Sequence, residues 1–236
     1  MISTSNPVIF LSLGPGDPEL LTFKALRTLK DADVVMVPAT RNHEGMLKSR
    51  ATDIISEWHI ENRLMVYELP MLKDRQAVSA VYDRIYADCV RLQREGKRVA
   101  VAVEGDVSIY ASIHYVMDRL QAEGIPTEQQ AGIPSFISAA ASAGLALVSQ
   151  QQRLTILPGD ADETMLHQLL ENNHVVVVMK LSQCQKAVKD FLRQNPQTTC
   201  HYFENVGTPE AYHTTSCDEI QSRQIPYFSL CILSTT

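Results

Sequence analysis

Three glycine-containing turns carry the residues of this sequence that are best suited to bind a small molecule. They span Gly14–Asp17, Glu104–Asp106 and Ala131–Ser135, and each follows a segment that predicts a β-strand. Glycine lets the backbone approach a ligand closely, and carboxylates accept hydrogen bonds from hydroxyl or amine groups. Because ligands of open parallel sheets bind beyond the carboxyl ends of strands, the turns predict one shared crevice.

Each turn also has a purely structural interpretation. A tight strand-to-helix connection also explains the first turn. It lacks the dinucleotide pattern GxGxxG, which would need glycine where Glu19 stands. Asp106 or Ser108 would equally serve as a helix cap. In the third turn, Pro134 and Ser135 suit the first residues of a helix. Taken singly, therefore, none of the turns specifies a function.

Other catalytic patterns are missing from the sequence. It contains neither the nucleophile elbow GxSxG nor the phosphate loop GxxxxGK[ST]. The seven histidines show no metal-ligand spacing, and the five cysteines form no CxxC pair. We therefore expect no metal site and no disulfide framework, but free thiols in a reducing cytoplasm.

Composition bounds the class of protein. The chain has 236 residues, of which 45% are hydrophobic and 20% charged, which excludes a disordered chain and allows two small domains. No apolar run approaches the ~20 residues of a membrane span, and we expect no secretory signal. The net charge of −6 argues against a nucleic-acid partner.

Strands alternate with helices along most of the chain. Five predicted strands precede residue 132, and amphipathic helices separate them, as in parallel sheets covered on both faces. The strands are Val8–Leu13, Asp33–Val37 (ended by Pro38), Leu64–Leu69, Val99–Val103 and Thr127–Ala131. The longest predicted helices here span Gln76–Arg94 and Ser108–Ala122. This pattern predicts an α/β fold whose first sheet is parallel.

A second α/β series follows. It begins with a helix of small residues over Pro134–Leu145 and includes the most hydrophobic strand, Val175–Met179. Near the end, two predicted strands, Cys200–Glu204 and Tyr227–Leu233, flank a polar stretch with little helical periodicity. Antiparallel pairing there would make the second sheet mixed. We place the domain boundary between residues 125 and 126, giving domains 1–125 and 126–236.

The three turns together carry a family resemblance that none carries alone. The segment Leu13–Ala25 closely resembles the amino-terminal motif of the tetrapyrrole (corrin/porphyrin) methyltransferases. Gly105-Asp106, with Tyr110 four residues later, resembles the second motif of that family, and Gly132–Ser135 resembles the third. The resemblance spans nearly the whole chain. Within the family, Gly14–Thr22 and Pro226–Leu230 are most similar to the precorrin-2 C-20-methyltransferase branch.

The resemblance implies two αβα domains with S-adenosylmethionine (SAM) in a cleft between them, and a homodimer. It also implies two sets of site residues in this sequence. Those that would surround SAM are Pro38, Glu104, Gly105, Asp106, Ile109, Pro134, Ser135, Met179 and Gly207. Those that would face the tetrapyrrole are Gly14, Pro15, Gly16 and Asp17. Two departures stand out, because Val107 and Ala131 occupy positions where the family commonly has proline.

The implied chemistry suits these residue types. The methyl group of SAM would pass to a nucleophilic carbon of an electron-rich macrocycle, so the protein mainly has to align two reactants ~3–3.5 Å apart. Asp106 or Asp17 would accept the proton that leaves that carbon. Cations should meet the carboxylates of the tetrapyrrole. The candidates are Lys24, Arg41, Lys48, Arg50 and Arg153.

Several functions stay open at this point. Precorrin-2 or its cobalt counterpart, methylated at carbon 20, is the leading substrate. Another member of the family would methylate a different corrinoid position, uroporphyrinogen III, a diphthine precursor or ribosomal RNA. A non-catalytic SAM or tetrapyrrole binder would keep the same motifs. An unrelated oxidoreductase has least support, because the dinucleotide pattern is missing.

Overall fold

The computed structural model describes residues 6–41, 47–60, 63–70 and 75–235, without the side chains of residues 41, 48 and 75–77. The chain divides into two compact units, Met1–Pro134 and Ser135–Thr236. In chain order, the first unit contains β1 (Val8–Ser12), α1 (Phe23–Asp31), β2 (Val34–Arg41), β3 (Leu47–Lys48), α2 (Arg50–Ser56), β4 (Leu64–Glu68), α3 (Arg75–Arg94), β5 (Val99–Val103), α4 (His114–Ala122) and β6 (Thr127–Gln130). The predicted alternation of strands and helices is confirmed.

Five parallel strands form the sheet of the first unit. Its order is β3-β2-β5-β1-β6, with β4 paired to β2, and only the two-residue β3 runs antiparallel. The sequence of β1, which is apolar except for Ser12, suits its position between β5 and β6, because side chains on both of its faces are buried. The predicted parallel sheet is confirmed.

Helices pack on both faces of this sheet. Phe10 and Val101 point to one face, where Ile85 of α3 and Leu120 of α4 complete an apolar cluster. The next residue of β1, Leu11, points to the other face and packs in a cluster with residues of α1 and α2. The period-2 alternation of a strand explains why adjacent residues serve two cores.

Two predicted element ends differ from the structure. Strand β2 does not end at Pro38 but continues to Arg41. Strand β5 pairs with β2 only as far as Met36, so the missing N–H of Pro38 interrupts no hydrogen bond to β5. Helix α4 begins at His114, not at Ser108. The intervening residues turn, and Tyr110 adopts a φ of 51°, which a right-handed helix does not allow.

The boundary between the two units lies farther along the chain than the sequence predicts. We expected it after residue 125, whereas the first unit extends to Pro134. Strand β6 explains the difference, since Thr127–Gln130 pairs in parallel with Val8–Leu11 of β1. The amide of Val8 also donates to the carbonyl of Pro126 at 2.9 Å.

The second unit is built around a mixed sheet. Its elements are α5 (Ser135–Ser142), β7 (Arg153–Leu157), α6 (Glu163–Glu171), β8 (His174–Met179), α7 (Gln185–Gln194), β9 (Thr199–Glu204), β10 (Tyr212–Thr214), α8 (Cys217–Ser222) and β11 (Ser229–Ser234). The strand order is β10-β9-β11-β8-β7. Strands β7 and β8 pair in parallel, and all other neighbouring strands pair antiparallel. The predicted mixed sheet is confirmed, and the polar stretch before β11 holds a short strand and a short helix.

A buried carboxylate stabilises the end of this sheet. Glu204 accepts two hydrogen bonds from Arg223, from Nε at 2.7 Å and from Nη2 at 3.0 Å, and one from the Tyr202 hydroxyl at 2.6 Å. Burial alone would raise the pKa of Glu204, but these hydrogen bonds and the charge of Arg223 hold it below its usual value.

The acid stability of the second unit should therefore depend on Glu204. A carboxylate with a lowered pKa stabilises the fold above its unfolded pKa of about 4.3, and this contribution is lost as the pH falls through the lower folded value. Urea unfolding should show Glu204→Gln to be less stable than wild type at pH 7, with the gap narrowing below about pH 4.3. The control Glu171→Gln removes an exposed carboxylate. A gap that stays constant with pH would contradict this assignment.

Among the described residues, no helix combines the length and the apolar character needed to cross a bilayer. Nor do those residues place three or more His, Cys, Asp or Glu side chains where they would hold a metal ion together.

Candidate functional site

The three glycine turns meet at the carboxyl edge of the first sheet. Strand β1 lies between β5 and β6, and all three run in the same direction, so the turns that follow them are neighbours. Gly14 and Gly105 form a short antiparallel bridge, in which Gly14 N donates to Gly105 O at 3.1 Å and Gly105 N to Gly14 O at 2.6 Å. The predicted convergence of the turns is present within this unit.

Ser12 joins the ends of all three strands. Its side chain is fully buried, and its hydroxyl donates to the carbonyl of Gln130 at 2.7 Å and accepts from the amide of Val107 at 2.8 Å. Sequence reasoning missed this residue. The available signal was a lone hydroxyl in the apolar run Val8–Leu13, because a buried hydroxyl needs hydrogen-bond partners.

Gly132 permits the closest approach between the turns. A Cβ at this position would lie 2.4 Å from Cβ of Ser12 and 3.0 Å from the carbonyl oxygen of Gly105. Such distances leave no room for any side chain. Gly105 is required for another reason, since its φ is +74° and a Cβ there would meet no atom within 4 Å. The backbone at Gly105 therefore presents an open surface to a ligand.

Asp106 connects the second turn to the third. One carboxylate oxygen accepts from the amide of Ser108 at 2.8 Å and from its hydroxyl, and the other accepts from the amide of Gly132 at 2.6 Å. Burial by itself would raise the pKa of Asp106, but these hydrogen bonds outweigh it and lower the pKa. The carboxylate thus caps its own turn and also holds Gly132 in place.

Val107 forms a hydrogen bond that proline could not form. The side chain is fully buried, its amide donates to Ser12 Oγ at 2.8 Å, and its carbonyl lies 2.8 Å from Nε2 of His114. With valine in place of the proline expected from the resemblance, the loop is hydrogen-bonded to Ser12 of β1.

Replacing this valine by the family residue should destabilise the protein. Val107→Pro removes the amide donor to Ser12, and we expect a loss of about 0.5–1.5 kcal/mol in the free energy of unfolding by urea. Ser12→Ala supplies the matched background, because a double-mutant cycle isolates the bond between the two residues. Equal losses from Val107→Pro in both backgrounds would refute the coupling.

Glu104 pairs with Arg50 at the same edge of the sheet. Arg50, the first residue of α2, donates from Nη1 to Oε1 of Glu104 at 3.1 Å, and the two side chains are 15% and 26% exposed. Burial raises the pKa of Glu104 to about 6, although Arg50 opposes the shift. A carboxylate with this pKa can exchange protons near neutral pH.

Of the other candidate cations, two lie away from the glycine turns, and two have side chains that the structure does not describe. The exposed Lys24 pairs with the half-buried Glu128 at 2.6 Å. Arg153 is the first residue of β7 in the second unit, so it lies at the amino-terminal end of that strand. The side chains of Arg41 and Lys48 lie outside the described part of the chain. Arg50 is therefore the candidate that the structure brings to the glycine turns.

The first turn is shaped by two glycines and a cap. Gly14 has a φ of +78° and Gly16 a φ of +145°, and Pro15 between them is buried. The carboxylate of Asp17 accepts from the amide of Glu19 at 2.8 Å and caps a short 3-10 helix, Pro18–Leu20. Asp17 thus has a structural role, and its predicted part in proton transfer stays a prediction.

The remaining predicted cofactor residues fall into both units. In the first, Pro38 lies within β2, Ile109 follows Asp106, and Pro134 ends the unit. In the second, Ser135 begins α5. Met179 ends β8 and Gly207 follows β9 with a φ of +79°. These last two share one edge of the second sheet, since Leu230 pairs with Met179 on one side and with Phe203 on the other.

Comparison with known families decides the class of the protein. The family model described as tetrapyrrole (corrin/porphyrin) methylases matches residues 7–221. The chain belongs to this family. The match includes all three glycine turns and both units, so the family resemblance predicted from the motifs is confirmed.

Curated relatives of this methylase carry names from cobalamin biosynthesis. Precorrin-2 C(20)-methyltransferase of Sinorhizobium sp. is 28% identical over 234 residues, which cover 96% of this chain and 94% of the relative. Cobalt-precorrin-2 C(20)-methyltransferase of Salmonella typhimurium is 27% identical and covers 95% and 94%. A probable cobalt-precorrin-2 C(20)-methyltransferase of Methanocaldococcus jannaschii is 29% identical over 72% of this chain and 70% of the relative.

Solved structures of the family share its fold. A cobalt precorrin-4 methyltransferase superposes with a TM-score of 0.71 at 21% identity, covering 96% of this chain and 94% of that one. Uroporphyrin-III C-methyltransferase of Thermus thermophilus, solved with S-adenosylhomocysteine (SAH), gives a TM-score of 0.66 at 19% identity and covers 97% of each chain. The predicted two-unit α/β fold is confirmed.

Proposed function

We propose that this methylase transfers a methyl group from SAM to carbon 20 of precorrin-2 or of its cobalt-containing counterpart. The observation that carries the proposal is the joined edge of the first sheet, where Ser12, Asp106 and Gly132 connect three turns that the family model also covers. Support for the substrate comes from the relatives that match nearly the whole chain, which are named for precorrin-2 or cobalt-precorrin-2.

The residues at this edge fit SAM. The open backbone at Gly105 allows a flat ligand to lie against it, and the neighbouring carboxylates of Glu104 and Asp106 suit the cationic sulfonium and the ribose hydroxyl groups of SAM. The proposed cofactor set is the one the resemblance implies. It consists of Pro38, Glu104, Gly105, Asp106, Ile109, Pro134, Ser135, Met179 and Gly207.

When bound, SAM supplies an electrophilic methyl group, and the macrocycle supplies the nucleophilic carbon. The work left to the protein is alignment, which is worth ~7–11 kcal/mol when two reactants are held at ~3–3.5 Å. We assign the tetrapyrrole to the Gly14–Asp17 turn, in which Gly16 and Asp17 are partly exposed while Gly14 and Pro15 are buried. Arg50, which pairs with Glu104 of the second turn, provides a positive charge at the same edge of the sheet for the carboxylates of the substrate.

We also propose a cytoplasmic homodimer that acts on a small molecule and not on nucleic acid. All five cysteines are free, as expected in a reducing compartment. The net charge of −6 disfavours a polyanionic partner. Light scattering of the purified protein tests the dimer, and a monomer at micromolar concentration would overturn it.

Two measurements test the function in sequence. Calorimetric titration with SAH should show saturable binding, and no binding at millimolar SAH would overturn both an enzyme and a non-catalytic SAM binder. Incubation with labelled SAM and precorrin-2, or with its cobalt counterpart, should then give a product with one added methyl group on carbon 20. SAH binding without methyl transfer to either compound would overturn the proposed substrate. Methylation of uroporphyrinogen III alone would reassign the chain within its family.

A further inference from the structure

The carboxyl group of Glu104 stands out among the acidic groups at the site. It follows β5 directly, next to the Gly14–Gly105 bridge, and Arg50 holds it through one oxygen at 3.1 Å. The side chain is 26% exposed, so most of it is removed from water while part still faces outward. Among the residues the structure describes, Arg50 is the charged group that lies against it.

The other two carboxylates at this edge are engaged in structural hydrogen bonds. Both oxygens of Asp106 accept protein donors, which lower its pKa and make it a poor proton acceptor. Asp17 caps the turn that follows it by accepting from the amide of Glu19. Protonating Asp106 would weaken the bonds that hold the second and third turns together.

We propose that Glu104 is the catalytic base of the methyl transfer. The inference rests on the proposed function and deepens it. The acceptor carbon forms a bond to the methyl group as the bond between that methyl and sulfur breaks, and the electron pair of the broken bond stays on sulfur. The methylated carbon then carries a proton that must leave to restore conjugation. The carboxylate of Glu104 takes this proton and releases it to water after the product departs.

Arg50 acts as the positioning residue of this base. The hydrogen bond from its Nη1 orients the carboxylate, while burial opposes the charge of Arg50 and leaves the pKa of Glu104 at about 6. At neutral pH most Glu104 side chains are ionised and able to accept a proton. A lower pKa would make the acceptor weaker, and a higher one would leave it protonated before the reaction.

Glu104→Gln tests the base directly because it keeps the size of the side chain and removes its ability to take a proton. In single-turnover reactions with saturating SAM, we expect the rate of product formation to fall ~100-fold or more. Because glutamine keeps a hydrogen-bonding side chain of the same size and SAH lacks the sulfonium charge, the affinity for SAH in calorimetry should fall ~10-fold at most, which corresponds to ~1.4 kcal/mol and is less than the expected loss in rate. An unchanged rate would overturn the proposal, and so would a loss of SAH affinity that accounts for the whole loss in rate.

The pH profile and chemical rescue separate a base from a merely structural group. In wild type, kcat/KM should fall as the pH drops through about 6, where Glu104 becomes protonated. Arg50→Gln removes the cation that favours the ionised form, so this fall should move to higher pH. Formate should partly restore the rate of Glu104→Ala and leave wild type unchanged. A profile that is flat through this range, or a failure of formate to rescue, would count against Glu104.

The substrate range of the wild-type protein tests the proposed function separately from the role of Glu104. If wild type itself methylates neither form of precorrin-2 but does methylate another tetrapyrrole, the substrate is wrong and the same variants are measured with that tetrapyrrole. The proposal about Glu104 then stands or falls on the ratio of Glu104→Gln to wild type.

Discussion

Alanine at Gly132 should separate the three turns and abolish tight binding of SAH. The added Cβ would overlap Cβ of Ser12 at 2.4 Å, and both atoms belong to the backbone framework of adjacent strand ends, so neither can rotate away. Overpacking of this kind costs about 1–3 kcal/mol in the free energy of unfolding. We expect the resulting shift to break the bond from Gly132 to Asp106 and the SAH affinity to fall at least ~10-fold, equivalent to ~1.4 kcal/mol.

Gly96→Ala provides the matched control. Gly96 has a φ of +77°, but a Cβ there would meet no atom within 4 Å, and the residue follows α3, at the amino-terminal side of β5. We expect this variant to lose about 1–2 kcal/mol from the left-handed backbone alone and to bind SAH like wild type. Wild-type SAH affinity in Gly132→Ala, measured by calorimetry, would show that the contact between the turns is not needed for the cofactor.

Asp106→Ala should weaken both the fold and the binding of SAH. The substitution leaves the amides of Ser108 and Gly132 without their acceptor, and each hydrogen bond to a charged group contributes about 1.5–3 kcal/mol. Without the bond to Gly132, the second and third turns lose their side-chain link. We expect the SAH affinity to decrease ~10-fold or more in calorimetry, which corresponds to ~1.4 kcal/mol.

The opposite end of β5 supplies the control for Asp106. Asp33 also accepts three hydrogen bonds, all from Arg98, including one from its amide at 2.8 Å. Asp33→Ala therefore removes a carboxylate with the same number of hydrogen bonds, but an exposed one, from the amino-terminal edge of the same sheet. Its SAH affinity should stay within twofold of wild type. If Asp33→Ala and Asp106→Ala weaken SAH binding equally, the effect of Asp106 is one of general stability.

Local patterns were sufficient for most elements of the fold. The apolar run of β1 predicts a strand buried on both faces, and the five-residue run Val99–Val103 predicts β5 with its observed bounds. The errors arose where a distant contact overrides a local preference. Pro38 stays inside β2 because β5 no longer pairs there, and Thr127–Gln130 belongs to the first unit because it pairs with β1.

The candidate site divides in the same way. Glycines at 14, 105 and 132 were recognisable from the sequence, because glycine after a strand indicates a special turn or a close approach. Asp106 was recognisable as a helix cap or a cofactor ligand, but its bond to Gly132, 26 residues away, was not. Ser12 went unnoticed because its two partners, Val107 and Gln130, lie 95 and 118 residues farther along the chain.

Residue types and their order along the chain were enough to give the fold class, the glycine turns and the family, since these depend on neighbours in sequence. Only the tertiary structure revealed which of the three turns are joined by hydrogen bonds. It also revealed the ion pair between Glu104 and Arg50, which are 54 residues apart in sequence. It also showed that Val107 stabilises its loop where the family commonly has proline. Such pairings depend on the order of strands in a sheet, and hydrogen bonds and proton affinities follow from the three-dimensional surroundings that this order creates.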